Sequence, residues 1–307
     1  MGPDPFAGPP LLLDAALGTE LTRRGADTGP PLWSARALRE APDLVARIHE
    51  ENAAAGADVL TTATFRTHAR NLRAAGIPGA EAGRLSRELA RLAVTLAREG
   101  GRRGRAASAR SAAPLLVAGS LSPLSDCWRP DLVPEAPGRL REHAAQAEAL
   151  ALADCDLILV ETMGTAREAL DAVAAAAETG LPVAASFTTD GDGRLLSGEP
   201  LVEAARALLD LPRPPTAVGV NCVPARRVGG ELARLAEALP GVPLAGYGNT
   251  GQSLDDKDLF PSQPIDPDEY AVEAARWLAI GARLVGGCCG TTAAHTAALR
   301  PAVDAAR

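Results

Sequence analysis

Short apolar runs alternate with longer segments of helical periodicity along almost the whole chain. The runs cover residues 11–13, 58–62, 115–119, 156–160, 182–187, 216–222, 243–246 and 283–285. Between them, segments such as 42–56, 79–99 and the stretch after Thr165 place apolar residues on one helical face. Apolar strands separated by helices are typical of a parallel sheet with both faces covered.

Eight such strand–helix units in 307 residues suit either a (β/α)8 barrel or a doubly wound open sheet. Polar residues decide between them, because they cluster at the carboxyl ends of the runs. In a barrel these ends meet at one rim, whereas an open sheet would separate the first strand from the eighth. We therefore predict one (β/α)8 domain over residues 1–307. The strand-end residues are Asp14, Thr62, Glu161, Asn221, Cys222, Tyr247, Cys288 and Cys289.

The segment 100–113, rich in Gly, Arg, Ser and Ala, interrupts this alternation. Its arginines could form an anion-binding patch, but no aromatic or helical spacing accompanies them. We predict a solvated, mobile loop.

Composition narrows the function classes. The chain is 47% hydrophobic and 22% charged, as in ordinary globular proteins, and its net charge of −7 argues against general nucleic-acid binding. Five cysteines are not a disulfide framework. No secretory signal or membrane-length apolar stretch is visible, so we expect a cytoplasmic protein without membrane or nucleic-acid partners.

The scarce cysteines mark the candidate chemistry. Cys288 and Cys289 lie between glycines at a predicted strand-to-helix turn, and Cys222 ends another strand. Lone cysteines are usually buried small side chains, and we assign Cys127 and Cys155 that structural role. Three thiols at converging strand ends are instead the ligand set of a Zn²⁺ site with one open position.

Three thiolates around zinc make an electron-rich site, which is poor at generating hydroxide but suited to activating another thiol. Asp14 and Glu161 lie at the same predicted rim, where buried carboxylates can bind the ammonium group of an amino acid. Salt bridges from these acids to loop arginines are the equally weighted alternative. Together with the cysteines, the acids describe a pocket for an amino-thiol.

The four histidines, His49, His68, His143 and His295, lack metal-ligand spacing at strand ends. For His295, a supporting role beside the metal and a helix-cap role are equally plausible. No Ser-His-Asp arrangement, Walker loop or Rossmann fingerprint is present.

At this point the sequence resembles the homocysteine S-methyltransferase family, over essentially the whole chain. The segments that carry the resemblance are Leu13-Asp14, Gly18-Thr19-Glu20-Leu21, Pro31-Leu32-Trp33-Ser34, Ala55-Gly56-Ala57-Asp58, Thr61-Thr62-Ala63-Thr64, Val160-Glu161-Thr162, Ser197-Gly198-Glu199-Pro200, Gly219-Val220-Asn221-Cys222 and Gly286-Gly287-Cys288-Cys289-Gly290.

The resemblance implies a (β/α)8 barrel in which Cys222, Cys288 and Cys289 bind zinc, and zinc takes the homocysteine sulfur. It also implies that Asp14 and Glu161 hold the amino-acid part of homocysteine. Asn221, Tyr247 and Asn249 would line the same pocket, and we add Thr62 as a substrate-binding candidate.

Three rim segments depart from the usual family pattern. Asp14-Ala15-Ala16 replaces Asp-Gly-Gly, Ser122 replaces the second glycine of Gly-Ser-Ile-Gly-Pro, and Gly248 replaces the proline of Tyr-Pro-Asn-Ser-Gly. These changes leave the thiols intact but touch the places where acceptor and donor would bind.

The sequence therefore predicts a zinc-dependent methyltransferase that makes methionine from homocysteine and a sulfonium donor, S-methylmethionine or S-adenosylmethionine. Aromatic faces would attract the cationic donor. The candidates are Trp33, Phe65, Trp128, Phe187 and Tyr247. The alternatives are betaine as donor, another thiol or selenol acceptor, and a zinc-binding barrel without catalysis.

Overall fold

The computed structural model describes residues 4–108, 110, 112–251 and 263–307. Within these residues eight parallel strands follow the order β1-β8-β7-β6-β5-β4-β3-β2, and a Leu13–Val59 bridge joins β1 to β2. The sheet is therefore a closed barrel, which confirms the predicted (β/α)8 fold. The strands are β1 (Leu11–Leu12), β2 (Val59–Thr61), β3 (Leu116–Leu121), β4 (Leu157–Met163), β5 (Val183–Phe187), β6 (Ala217–Pro224), β7 (Leu244–Asn249) and β8 (Ala282–Gly287).

Helices form the outer layer. In the described ranges they are α1 (Leu17–Arg23), α2 (Ser34–Glu40), α3 (Pro42–Ala54), α4 (Ala69–Ala74), α5 (Gly79–Ala106), α6 (Gly138–Leu152), α7 (Ala166–Ala177), α8 (Leu201–Leu209), α9 (Ala225–Ala238), α10 (Pro267–Ile280) and α11 (Ala293–Ala305), with a 3₁₀ turn at Pro130–Leu132. Thr165 caps α7 and Asp266 caps α10 by accepting backbone N–H bonds in the first turn. None of these helices is long and apolar enough to cross a membrane.

Strand alternation divides the core into two layers. On β4, Leu157 and Leu159 belong to the cluster inside the barrel, whereas Ile158 and Val160 pack under the helices. Because side chains alternate with a period of two, Glu161 continues the inward row of Leu157 and Leu159. The same parity places Asn221 of β6 and Tyr247 of β7 on the inward side.

The prediction of a loop over residues 100–113 is wrong for its first half, because α5 continues to Ala106. The glycines there are helix-packing residues. A Cβ on Gly100 would lie 2.2 Å from the carbonyl oxygen of Ala46, and one on Gly104 would lie 2.1 Å from that of Glu50. The glycines thus let α5 approach α3 closely. Residues 109 and 111 lie outside the described part of the chain.

A buried ion cluster lies at the amino end of the barrel. The carboxylate of Asp58, just before β2, accepts the N–H of Leu12 at 3.0 Å. Four guanidinium groups surround it at 2.7–3.6 Å, from Arg105, Arg110, Arg300 and Arg307. Burial alone would raise the pKa of Asp58, but the Leu12 bond and the arginines outweigh it and hold the pKa below its usual value. This cluster ties α5 and α11 to the strands.

Candidate metal centre and its pocket

The three predicted thiols meet at the carboxyl end of the barrel. Cys222 lies on β6, and Cys288 and Cys289 directly follow β8. Their sulfur atoms all lie within 4.8 Å of one another, with Cys222 Sγ and Cys289 Sγ 3.5 Å apart. Cys222 is buried, whereas Cys288 and Cys289 are partly exposed. The cluster is therefore accessible from the mouth of the barrel.

The donor set fits a tetrahedral metal. With metal–sulfur bonds of about 2.3 Å, tetrahedral thiolates lie about 3.8 Å apart, close to the separation observed here. Three protein thiols leave one coordination position for an incoming ligand. Zinc or another thiophilic cation would suit this site.

Without a cation the three thiols cannot all ionise. Hydrogen bonds from Cys222 and Cys288 hold the pKa of the Cys289 thiol well below its usual value. Hydrogen bonding to Cys288 and Cys289, together with burial, raises the pKa of Cys222 well above its usual value. For Cys288 the bond with Cys222 lowers the pKa, but the contact with Cys289 and burial outweigh it and raise the pKa well above its usual value. One thiolate is thus shared among three sulfurs, and a bound cation would stabilise the other two charges.

The backbone at Cys222 adopts a conformation that side chains other than glycine rarely take. Its φ is 56°, and the register of β6 against β7 is irregular between Asn221 and Pro224. The side chain of Asn249 stabilises this turn by donating to the carbonyl oxygen of Cys222 at 2.8 Å. Such strained positions are concentrated at functional sites, because the fold must stabilise them.

The turn that carries Cys288 and Cys289 requires glycine on both sides of the cysteine pair. A Cβ on Gly287 would lie 2.2 Å from Thr291 Oγ1, and Gly290 has a φ of 83°. The hydroxyl of Thr291 donates to the carbonyl oxygen of Cys288 at 2.7 Å. The N–H of Cys288 in turn donates to the carbonyl oxygen of Gly248 at 2.7 Å. The two backbone groups of Cys288 are thereby held, the N–H by β7 and the carbonyl by the turn before α11.

Asp14 lies beside the centre in a nearly dry environment. It is 2% exposed and accepts two hydrogen bonds from Thr61, both 2.9 Å long, one from the backbone and one from the hydroxyl. His49 Nδ1 is 3.9 Å from Asp14 Oδ2. Burial raises the pKa of Asp14 to about 8 and lowers that of His49 to about 4, so both groups are neutral at intermediate pH.

Glu161 is the second acid of the pocket. Its Oε1 accepts a bond of 2.5 Å from the hydroxyl of Ser120. Burial is the main cause that raises the pKa of Glu161 to about 7. The phenol of Tyr247 is buried near Glu161, and burial together with the charge of Glu161 raises the phenol pKa well above its usual range.

The salt-bridge alternative for these two acids is wrong for the described residues. Within them no arginine or lysine lies within 4.0 Å of either carboxylate. The imidazole of His49 lies 3.9 Å from Asp14 Oδ2, but burial lowers the pKa of His49 to about 4, so it is not a cationic partner at intermediate pH. Two buried acids without a cationic partner remain at the open rim, where a ligand could supply one.

Three other predicted residues support the pocket through their own hydrogen bonds. Asn221 accepts the N–H of Thr162, donates to the hydroxyl of Thr162, and lies 4.0 Å from Cys288 Sγ. The hydroxyl of Thr62 accepts the N–H of Ser120, which links β2 to β3. Both amide atoms of Asn249 are engaged, with Cys222 and with Gly251.

The three rim segments that differ from the family pattern form hydrogen bonds within the protein. The N–H groups of Ala15 and Ala16 donate to Asn52 and to Thr291. The hydroxyl of Ser122 donates to the carbonyl oxygen of Phe65. The Gly248 carbonyl accepts from Cys288 and, at 2.8 Å, from the hydroxyl of Tyr270.

The aromatic candidates separate into two groups. Phe187 is buried in the layer under the helices, so its face is not available to a ligand. Trp33 and Phe65 are half-buried at the rim, with their rings edge to face at 5.4 Å, and Trp128 is also half-buried. His295 caps α11, because its Nδ1 accepts the N–H of Thr292. Cys155 is buried in the core.

Several residues that shape the pocket are not among the candidates predicted from the sequence, namely Thr61, Ser120, Thr162 and Tyr270. The first three carry hydroxyl groups and lie at or near the carboxyl end of a strand. That position is the only feature of the sequence that could have identified them as pocket residues. Tyr270 lies on α10 and reaches the carbonyl oxygens of Gly248 and Gly286.

The fold and site define a class of protein: a (β/α)8 barrel whose carboxyl rim carries a three-thiol metal-binding centre beside two buried acids. A family model described as "Homocysteine S-methyltransferase" matches residues 11–303. Homocysteine S-methyltransferase of Escherichia coli is 34% identical over 305 residues, which cover 94% of each chain. The chain is therefore an enzyme of the homocysteine S-methyltransferase family.

Two further likenesses bear on the site. The metallated crystal form of the Escherichia coli homocysteine methyltransferase superimposes with a TM-score of 0.80 at 32% identity, covering 96% of each chain. A selenocysteine methyltransferase of Astragalus bisulcatus is 28% identical over 309 residues, which cover 93% of this chain and 90% of that one.

Proposed function

We propose that this enzyme transfers a methyl group from a sulfonium donor to the sulfur of homocysteine and yields methionine, with Zn²⁺ held by Cys222, Cys288 and Cys289. The observation that carries the proposal is the three-sulfur cluster beside two buried, unpaired acids. Thiol-binding and ammonium-binding groups thus lie on one rim.

Zinc supplies the cation that lowers the pKa of the incoming thiol, while three thiolate ligands keep the bound sulfur electron-rich. Asp14 and Glu161 bind the ammonium group of the substrate. Both acids are held neutral by burial when no cation is near, and an ammonium group between them favours their charged forms. Thr61 and Ser120 orient the two carboxyls through their hydrogen bonds.

The transfer is a direct displacement. The new bond forms between the acceptor sulfur and the methyl carbon as the donor's sulfur–methyl bond breaks. The electron pair of that bond stays on the departing sulfur, which leaves as a neutral thioether, and the acceptor's thiol proton passes to solvent. The barrel contributes mainly by holding the two sulfurs in line across the methyl carbon.

A selenol or a different thiol is the second candidate acceptor. The likeness to a selenocysteine methyltransferase supports it, because the same centre would activate either element. A non-catalytic zinc barrel is the weaker alternative, since a purely structural metal has no need of two unpaired buried acids beside an open coordination position.

The direct test is methionine formation by zinc-loaded protein from homocysteine, with S-methylmethionine, S-adenosylmethionine and betaine offered separately. We expect turnover with a sulfonium donor and little with betaine. No turnover with any donor, at about one zinc per chain, would show that the acceptor is not homocysteine.

Cys289→Ala tests the role of the metal. We expect this variant to lose zinc and turnover while its circular dichroism and melting temperature stay close to those of the wild type, because Cys289 belongs to neither of the apolar clusters that form the barrel core. Cys155→Ala is the matched control, since Cys155 is a buried thiol of the core. Unfolding of the Cys289 variant would indicate a structural zinc instead.

A further inference from the structure

Arg66 lies at the rim, and its guanidinium group has no acidic partner in the described part of the chain. Every arginine that surrounds Asp58 at the other end of the barrel is paired with a carboxylate. Within the described residues Arg66 forms no ion pair. Its Nη1 donates to the carbonyl oxygen of Ser125 at 2.6 Å, and none of its remaining N–H groups has a protein partner there. The side chain is half-buried, so those groups are accessible to a ligand.

Arg66 is also held in place. Its guanidinium carbon lies 5.4 Å from the ring centroid of Phe65, as in a cation–π contact, and Phe65 packs edge to face on Trp33. The backbone on which it stands is fixed by Ser122, whose hydroxyl donates to the carbonyl oxygen of Phe65. The group is therefore preorganised, which reduces the entropy cost of binding a ligand.

The location of Arg66 relates it to the metal centre. It follows β2, whose last residue, Thr61, holds Asp14. The Ser125 carbonyl that it contacts is two residues before Cys127. The carbonyl oxygen of Cys127 would lie 3.2 Å from a Cβ on Gly164, which directly follows β4. Arg66 is thus held at the rim between the end of β2 and the end of β4, the strand that carries Glu161.

On the basis of the proposed function, we propose that Arg66 binds the carboxylate of the methyl donor and restricts the enzyme to donors that carry one. An unpaired, accessible guanidinium is a strong and geometrically specific carboxylate ligand. Because the guanidinium already covers the face of Phe65, a cationic donor without a carboxylate meets only repulsion there. The donor class is therefore a sulfonium that carries a carboxylate, such as an amino-acid sulfonium.

The test compares S-methylmethionine with its carboxamide, which keeps the sulfonium and the amine but lacks the negative charge. For the zinc-loaded wild type we expect the donor KM of the amide to be about 10- to 100-fold higher, the range expected for one charge-assisted hydrogen-bonded pair. Arg66→Gln should raise the KM for S-methylmethionine and lower the KM for the amide, because the attraction to the carboxylate and the repulsion of the cationic amide are lost together, so that the two KM values converge. Arg66→Lys should restore part of the difference.

Arg70→Gln is the matched control. Arg70 is four residues along the chain on α4, and its guanidinium is already paired with Glu142 at 2.7 and 3.0 Å. This variant should keep the wild-type preference for S-methylmethionine over the amide. Zinc content, melting temperature and the KM for homocysteine should be unchanged in both Arg66 variants.

Calorimetric binding of the two donors separates this inference from the proposed function. If turnover occurs but neither KM nor affinity distinguishes the two donors, or if Arg66→Gln keeps the discrimination, the role of Arg66 is wrong and methyl transfer stands. If S-methylmethionine binds more tightly than the amide in an Arg66-dependent manner without turnover, the carboxylate site is right and the reaction is wrong.

Discussion

Two buried aspartates mark the two ends of this barrel and have opposite surroundings. Asp58 at the amino end is 4% exposed and Asp14 at the carboxyl end is 2% exposed, so burial does not distinguish them. The N–H of Leu12 and the surrounding arginines lower the pKa of Asp58. Among the described residues the carboxylate of Asp14 contacts Thr61 and neutral His49 and no arginine or lysine, and burial raises its pKa to about 8. The neighbouring groups therefore account for the difference in pKa. The carboxylate of Asp58 has cationic partners within the protein, whereas that of Asp14 still requires a cation.

This contrast matches the general division of labour in (β/α)8 barrels, where the amino face carries stability and the carboxyl face carries function. A paired buried charge costs little further free energy but is expensive to break. An unpaired buried acid costs stability in the free protein and can recover it on binding an ammonium group.

Asp58→Asn should have the largest effect on stability. It leaves the buried guanidinium groups of Arg105 and Arg300 without this carboxylate, so we expect a loss of about 3–5 kcal/mol in the free energy of unfolding, measured by denaturant titration. Asp304→Asn is the matched control, because Asp304 is a half-exposed partner of the same arginines and should cost about 0–1 kcal/mol. Zinc content should be unchanged in both variants.

Asp14→Asn should show the reverse pattern. Loss of the carboxylate should raise the KM for homocysteine about 10- to 100-fold, since one charge-assisted contact to the ammonium group is lost. Its free energy of unfolding should be equal to that of the wild type or higher near pH 8, because the variant no longer buries an acid that must ionise. An unchanged KM would remove Asp14 from the substrate site.

Gly104→Ala tests the close packing of helix α5 on helix α3. The added methyl group would lie 2.1 Å from the carbonyl oxygen of Glu50, so we expect a loss of about 1–3 kcal/mol. Gly83→Ala on the same helix meets no atom within 4 Å and should stabilise by about 0.5–1 kcal/mol. Equal effects of the two substitutions would contradict close packing of α5 on α3.

The pH dependence of stability should separate the two aspartates by sign. The folded pKa of Asp58 is below the ordinary value of 3.8, so its contribution is present above that value and is lost as pH falls through the folded pKa. The folded pKa of Asp14 is raised, so its contribution is present below 3.8 and is lost as pH rises towards about 8. Between these values Asp14 alone lowers stability by at most about 1.4 kcal/mol per pH unit.

The measurement is the free energy of unfolding of wild type and Asp14→Asn across this range. The difference between the two proteins should grow steadily in favour of the variant as pH rises. A difference independent of pH would mean that Asp14 is ionised in the free protein.

The strand-end rule explains how much of this site the sequence could predict. Cys222 and Cys288 were predicted to meet because parallel strands of a barrel end at one rim, and their sulfurs do lie together. Asp14 and Glu161 were found by the same rule. Their roles towards a substrate, and the extent of the domain over residues 1–307, stay predictions.

The rest depended on contacts that no periodicity reveals. Ser120 of β3 donates a hydrogen bond to Glu161 on the adjacent strand β4. Tyr270 of helix α10 donates to carbonyl oxygens of β7 and β8. The glycines of α5 suggest a loop when the sequence is considered alone, because the reason for them is the close approach of helix α3, which only the structure shows. Arg66 is not a site candidate in the sequence, since only the structure shows that it lacks an acidic partner among the described residues.

The three thiols should form an open metal centre that binds the acceptor sulfur. X-ray absorption at the zinc edge, on zinc-loaded protein with and without homocysteine, counts the sulfur atoms around the metal in each state. We expect three sulfur ligands and one lighter atom in the free protein, and four sulfur ligands when homocysteine is bound. A sulfur count that homocysteine does not change would show that the acceptor sulfur does not bind the metal.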